Sequence, residues 1–235
     1  MKNVKVEEKM KKGVFYAVGI GPGDPELLTI KAIKTIENSD VIVVPASGAK
    51  ENMALKIAGS YIKGQEIVES HMPMTKDKEK LAHYHQLAFE QMCKLLDDGK
   101  VVSFLTLGDP TIYSTVMYVH RKLTEAGYDT KVVSGITSFC AAAASLNTSL
   151  CEREQILHII PATFKGDEGL NLSGSKVLMK SGKSIMAMKE KLKGKHAMVV
   201  EKATMEDERV FKNLDELEEE TSYFSIIVVP EEREE

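Results

Sequence analysis

The chain has 235 residues, 43% of them hydrophobic, and a formal net charge of -4 at pH 7, so it can bury a sizeable core and is neither disordered nor fibrous. An acidic balance offers no global attraction to nucleic acid or to an anionic membrane, and any anionic partner must be held locally. Three cysteines, Cys93, Cys140 and Cys151, are odd in number and widely separated without CxxC spacing, a poor fit to a secreted disulfide framework, and reduced, mostly structural thiols are the expectation.

The opening segment MKNVKVEEKMKKG is charged and lacks an apolar stretch, and no run approaches the roughly 20 apolar residues of a membrane helix. A cytoplasmic protein is the expectation. Val14 to Val18 then forms a short apolar run ending at Gly19, followed by a Pro/Gly turn and LLTIKAIKTIEN, whose Leu27, Ile30 and Ile33 recur at near-helical spacing. Asp40 opens VIVVP, a β-branched run stopped by Pro45, and alternation continues through Ile57, Ile67 and Val68. These strand, loop and helix signals predict βαβ units with a largely parallel sheet.

From Thr75 to Asp98 runs the longest helical candidate, with Leu81, Tyr84, Ala88, Met92 and Leu95 on one face and Gly99 as its stop. It leads into a buried strand, Val101 to Leu105. Ile112, Val116, Val119 and Leu123 define a second amphipathic helix closed by Gly127, before the strand-like TKVV. A connection near Asp129 is expected to separate an N-terminal domain, 13–128, from a C-terminal one, 129–230, leaving charged tails at 1–12 and 231–235. In the second domain Ile136 to Leu146 reads as a small-residue helix. Later strands are expected at Gln155 to Ile160, Lys176 to Met179, Ala197 to Val200 and Phe224 to Val229, with a Gly-rich loop from Lys165 to Ser175.

Three segments can carry chemistry. Gly19-Ile20-Gly21-Pro22-Gly23-Asp24-Pro25 directly follows a strand; its glycines let backbone amides approach a ligand and adopt positive φ, Pro22 stiffens the loop, and Asp24 can accept hydrogen bonds or cap the next helix. The spacing is not GxGxxG and Pro22 interrupts it, so a Rossmann nucleotide loop is a poor match and a plain turn stays open. Leu105-Thr106-Leu107-Gly108-Asp109-Pro110 again sits at the end of an apolar strand and before a helix, where Asp109 either caps that helix or faces a ligand. Two such loops at carboxyl ends of strands can share one crevice. Ser134-Gly135-Ile136-Thr137-Ser138-Phe139-Cys140, followed by four alanines, puts short hydroxyls at a helix start and permits close backbone approach. No GxSxG, Walker or HExxH signature competes with them.

Taken in this order, GIGPGDPELLTIKA, FLTLGDPTIYST and VVSGITSFCAAAASLN resemble the tetrapyrrole methylases, and the resemblance runs from about Gly13 to Val229, with LMKSG near Met179 and VVEKATMEDERV near Ala203 similar to later motifs. DVIVVPAS, HMPMTKDKEKL and LTLGDPTIYSTVMYVHRKL are most similar to the branch that methylates C20 of precorrin-2 or cobalt-factor II in cobalamin biosynthesis. Other activities of the family stay open: uroporphyrinogen, diphthine or ribosomal-RNA methylation, or a catalytically inactive binding module.

The resemblance implies two α/β domains with the cofactor in a cleft between them, a homodimer, and a folded S-adenosylmethionine, released as S-adenosylhomocysteine, outside any Rossmann pocket. It places cofactor contacts on Pro22, Leu107, Gly108, Asp109, Ile112, Thr137, Ser138, Met179 and Ala203. Around Met179 the chain reads Met-Lys-Ser where relatives carry a Tyr-Met-Gly-like run. Asp24, Asp109 and Tyr113 are the polar candidates near the reacting groups, Asp109 also toward the methionine amino group; no base is identified. The tetrapyrrole substrate bears many carboxylates, for which Lys76, Lys78, Lys80, His83, His85 and Arg121 are candidate cations, although alternating charge on a helix equally describes a solvated face. His83 and His85 are two apart on a helix and point in different directions, so no protein-bound metal is expected, nor any nucleic-acid or membrane partner.

Overall fold

The computed structural model describes residues 12–46, 52–73, 75, 77–162 and 166–231. Most of the two expected charged tails, at 1–11 and 232–235, and Lys76 lie outside the described residues. The chain divides into two compact units, one comprising residues 1–21 and 25–135, the other residues 22–24 and 136–235.

The first unit alternates strand and helix: β1 Val14–Gly19, α1 Ile30–Glu37, β2 Val41–Pro45, α2 Met53–Ala58, β3 Glu66–Ser70, α3 Lys78–Asp97, β4 Val101–Thr106, α4 Val116–Glu125 and β5 Asp129–Val133. Its five strands run parallel in the order β3-β2-β4-β1-β5. A strand's side chains alternate between faces, so this sheet is covered twice. Phe15, Ala17, Val41, Val43, Val102 and Phe104 pack with α3 and α4 through Ala88, Met92, Leu96, Val116, Val119 and Leu123. Val18, Ile42, Val44, Leu105 and Val133 pack on the other side with Ala32 and Ile36 of α1 and with Ala54, Ile57 and Ala58 of α2.

Local chemistry sets the helix starts. Asp77 caps α3 by accepting the Glu79 and Lys80 N–H groups, so this helix begins at Lys78, not Thr75. Thr29 does the same for α1, accepting the Ala32 N–H at 3.1 Å. Ile112 falls outside α4, because the turn at Asp109 and a left-handed Tyr113 (φ 50°) interrupt the helical path before Val116. β5 pairs with β1 along its length, and for that reason the first unit runs to Gly135, past the boundary expected at 128/129.

In the second unit, α5 Ser138–Ser145 precedes β6 Leu157–Pro161, α6 Gly166–Leu170, β7 Ser175–Met179, α7 Ile185–Lys191, β8 Met198–Glu201, β9 Arg209–Phe211 and β10 Ser225–Val229. The strand order is β6-β7-β10-β8-β9, and only β6 and β7 are parallel. The expectation of a largely parallel sheet therefore holds for the first unit and not for the second. Short, fully buried strands such as SIIVV read the same in either direction, so periodicity could not decide. Two further expectations change: the loop at 165–175 holds α6, and β9 was not foreseen, its three residues being too few for a periodic signal. Leu178, Ile185, Met188, Leu192, Val199, Leu214, Leu217 and Ile227 form this unit's core.

Candidate functional site

In the first unit the glycine-bearing segments leave the carboxyl ends of three adjacent strands, β4, β1 and β5. Gly21 and Gly108 exchange backbone hydrogen bonds, Gly108 N–H to the Gly21 carbonyl at 2.7 Å and Gly21 N–H to the Gly108 carbonyl at 3.3 Å. Both adopt left-handed backbone, φ 77° and 68°, which glycine reaches without steric cost. Gly19 and Gly135 are held by contact instead. A Cβ on Gly135 would lie 2.2 Å from the Gly108 carbonyl oxygen, and one on Gly19 would lie 2.6 Å from the Gly135 nitrogen.

Asp109 ties this cluster together. It is 8% exposed; its Oδ1 accepts from the Thr111 N–H at 2.8 Å and the Thr111 hydroxyl at 2.5 Å, and its Oδ2 accepts from the Gly135 N–H at 3.0 Å. The buried carboxylate thus accepts three hydrogen bonds that position two loops, as such a charge requires. Leu107 packs half-buried against the α1–α2 face, the Ile112 N–H donates to the Asp109 carbonyl, and exposed Tyr113 carries the strained φ already noted.

The remaining candidates belong to the second unit. Pro22 is buried, and beyond it the Asp24 N–H donates to the Thr204 hydroxyl at 3.1 Å. Thr137 stands at the N-cap of α5, yet its side chain makes no capping bond, and its Oγ1 is buried with no hydrogen-bonding partner among the described residues. Ser138 is the first residue of that helix. Met179 and Glu201 end β7 and β8, which flank the start of β10 in register, Met179 opposite Ile226 and Glu201 opposite Ser225. Just past these ends Lys180, Lys202 and Thr204 adopt φ of 61°, 53° and 65°, with buried Ala203 between the last two. Burial also pushes the Lys180 ammonium below its ordinary pKa.

The cation candidates separate. Lys78, Lys80 and His83 are exposed, Lys80 within 3.8 Å of Asp77. His85 is 6% exposed and stacks on Tyr118 at 4.5 Å, with the Arg121 guanidinium over the same ring. Residues that the sequence reading missed are Thr204, Lys202 and Glu208, whose side chain accepts the Thr204 N–H at 2.5 Å. The segment VVEKATMEDERV was singled out only as a motif near Ala203, and non-glycine residues in left-handed backbone leave no compositional trace that would pick out Lys202 and Thr204 within it. Among the described residues no group of three or more His, Cys, Asp and Glu is placed to hold a metal, and no helix is long and apolar enough to cross a membrane.

Comparison with known proteins adds four findings. Residues 14–218 match the family model of the Tetrapyrrole (Corrin/Porphyrin) Methylases. The chain is 37% identical, over 91% of its length and 94% of the relative's, to a Methanocaldococcus jannaschii protein named "Probable cobalt-precorrin-2 C(20)-methyltransferase". It is 32% identical, over 92% and 96%, to the cobalt-precorrin-2 C(20)-methyltransferase of Salmonella typhimurium. Among solved structures, the uroporphyrin-III C-methyltransferase of Thermus thermophilus in complex with S-adenosylhomocysteine shares the fold at a TM-score of 0.69, with 20% identity over 93% of this chain and 97% of that one.

Proposed function

The chain belongs to the tetrapyrrole (corrin/porphyrin) methylases, and we propose that it transfers the methyl group of S-adenosylmethionine to C20 of cobalt-factor II or precorrin-2 in cobalamin biosynthesis. It is an S-adenosylmethionine-dependent C-methyltransferase; the position of transfer rests on near-full-length likeness to relatives named for C20. The same reading makes it a cytoplasmic homodimer without a protein-bound metal, any cobalt arriving in the substrate.

The residues present fit the cofactor on one observation in particular. A buried hydroxyl without a partner costs free energy that a polar ligand recovers, and among the described residues Thr137 Oγ1, at the start of α5, is such a group. We assign cofactor contact to Pro22, Leu107, Gly108, Asp109, Ile112, Thr137, Ser138, Met179 and Ala203. Bound S-adenosylmethionine supplies an electrophilic methyl group that an electron-rich ring carbon can take in an in-line displacement, so no covalent enzyme intermediate is needed. The chain's part is alignment and exclusion of water, which through effective molarity supplies on the order of 7–11 kcal/mol. Rigid loops serve that purpose: Asp109 fixes the turn at Thr111 and the Gly135 amide, and the left-handed Gly21 and Gly108 pair the two loops backbone to backbone. Asp24, Asp109 and Tyr113 remain the polar candidates near the reacting groups.

An anaerobic assay with S-adenosylmethionine labelled in its methyl group, offered precorrin-2 and cobalt-factor II separately, tests the proposal. Label at C20 of either product, located by NMR, is the expected result. Cofactor binding without transfer to either compound overturns the C20 assignment and leaves another substrate of the family.

A further inference from the structure

The turn Lys202–Met205 combines two unusual features. It carries left-handed Lys202 and Thr204 on either side of Ala203, and a β-branched residue such as Thr204 pays heavily in that region. Such backbone persists only where its surroundings over-determine it. Glu208 supplies much of that determination: its Oε2 accepts the Thr204 N–H at 2.5 Å and the Ser145 hydroxyl, from the last residue of α5, at 2.8 Å. The Met205 N–H closes the turn on the Lys202 carbonyl at 2.9 Å, and the Glu208 N–H returns to the Met205 carbonyl at 3.1 Å.

This turn also holds the Gly/Pro loop. The Thr204 hydroxyl accepts the Asp24 N–H, and Gly23 lies so close that a Cβ there would be 2.6 Å from Met205 Cγ and 3.3 Å from the Ala203 carbonyl oxygen. One carboxylate thereby links α5, which begins at Thr137–Ser138, to the turn at Ala203 and through it to the loop at Pro22. All these residues lie in the second unit.

We infer that Glu208 is a positioning residue for cofactor binding: it touches no reacting atom, but holds the strained Ala203 turn and the Pro22–Asp24 loop in the conformation that receives S-adenosylmethionine. The inference rests on the assignment of Pro22, Thr137 and Ala203 to the cofactor. A carboxylate oxygen that accepts two hydrogen bonds can be replaced by an amide oxygen but not by a methyl group. Glu208→Gln should therefore retain the device and Glu208→Ala should release it.

Calorimetric titration of S-adenosylhomocysteine into the wild-type protein comes first, and absence of binding there would remove the cofactor assignment itself. With wild-type binding established, Glu208→Ala should weaken affinity by about tenfold or more, the loss expected for hydrogen bonds to a charged group. Glu208→Gln should stay within about threefold, and Ser145→Ala should fall between them. Under turnover the Glu208→Ala defect should appear in the KM for S-adenosylmethionine, with the KM for the tetrapyrrole unchanged. Should Glu208→Ala not fold, the inference stands or falls on Ser145→Ala and Glu208→Gln. Unchanged affinity in a folded Glu208→Ala protein, or in Ser145→Ala where the former does not fold, overturns it, as does a Gln variant as defective as Ala.

Discussion

The Asp109 carboxylate accepts the Gly135 N–H at 3.0 Å, so an acid on the loop after β4 fixes the loop after β5. Its other oxygen is taken by Thr111, and all three partners are donors. Asp109→Asn must turn an NH₂ group toward one of them and leave a buried donor facing a donor. We expect that variant to lose about 1–3 kcal/mol of stability, close to Asp109→Ala, because an unsatisfied buried group costs its desolvation. Urea unfolding of the two variants beside wild type measures it; an Asn variant as stable as wild type would contradict the role.

Gly108 reaches φ 68° beside its paired partner Gly21. Valine there should cost about 1–3 kcal/mol in backbone strain and abolish S-adenosylmethionine binding while the fold remains. Circular dichroism and calorimetric titration read the two effects separately. Unchanged affinity would show that this loop does not face the cofactor.

Gly135 and Gly59 offer a contrast. A methyl group on Gly135 meets the Gly108 carbonyl oxygen at 2.2 Å, whereas one on Gly59, at φ -57° in right-handed backbone, meets nothing within 4 Å among the described residues. Gly135→Ala should lower the thermal midpoint and weaken cofactor binding, and Gly59→Ala should be neutral or stabilising by about 0.4–1 kcal/mol through the unfolded chain. Comparison of the two melting curves tests the crowding at the strand ends.

Thr137 Oγ1 is a buried hydroxyl without a partner among the described residues. Thr137→Val preserves the shape and removes the unsatisfied group, so the ligand-free protein should be as stable as wild type or more so, while affinity for S-adenosylhomocysteine falls about 5–10-fold. Equal affinity in the valine variant would take Thr137 out of the cofactor site.

Burial holds both His85 and His120 below the ordinary imidazole value, and the nearby Lys122 ammonium adds to the effect at His85. The unfolded chain takes up a proton near the usual pKa of about 6.5, while the folded protein resists until lower pH. Stability from these groups is therefore present above pH 6.5 and is lost as pH falls from there toward the depressed folded values. The urea midpoint should drop between pH 7.5 and 5.5, and His85→Phe, which keeps the stack on Tyr118, should flatten that slope. A midpoint independent of pH over this range would rule the mechanism out.

Much of the fold was legible in the chain because it is encoded over short distances. Apolar period and β-branched runs place β1, β2 and β4 almost to the residue and the long α3 to within three, and Gly/Pro clusters mark the loops at Gly19–Asp24 and Gly108–Pro110. The ordered set of motifs identifies the family, since each loop needs its residue types for local backbone reasons. Tertiary structure alone decided the rest. Strand direction in the second sheet depends on which neighbour β10 finds, and SIIVV suits either sense. Asp109 could cap its helix or face a ligand on sequence grounds, and only the approach of Gly135 shows where its second oxygen goes. Glu208 lies in the motif-like VVEKATMEDERV stretch without any sequence signal for its partner, and its carboxylate meets Ser145 from 63 residues away. Such contacts arise when a closed chain brings distant donors to one acceptor, and left-handed Lys202 and Thr204 are tolerated because those contacts hold them.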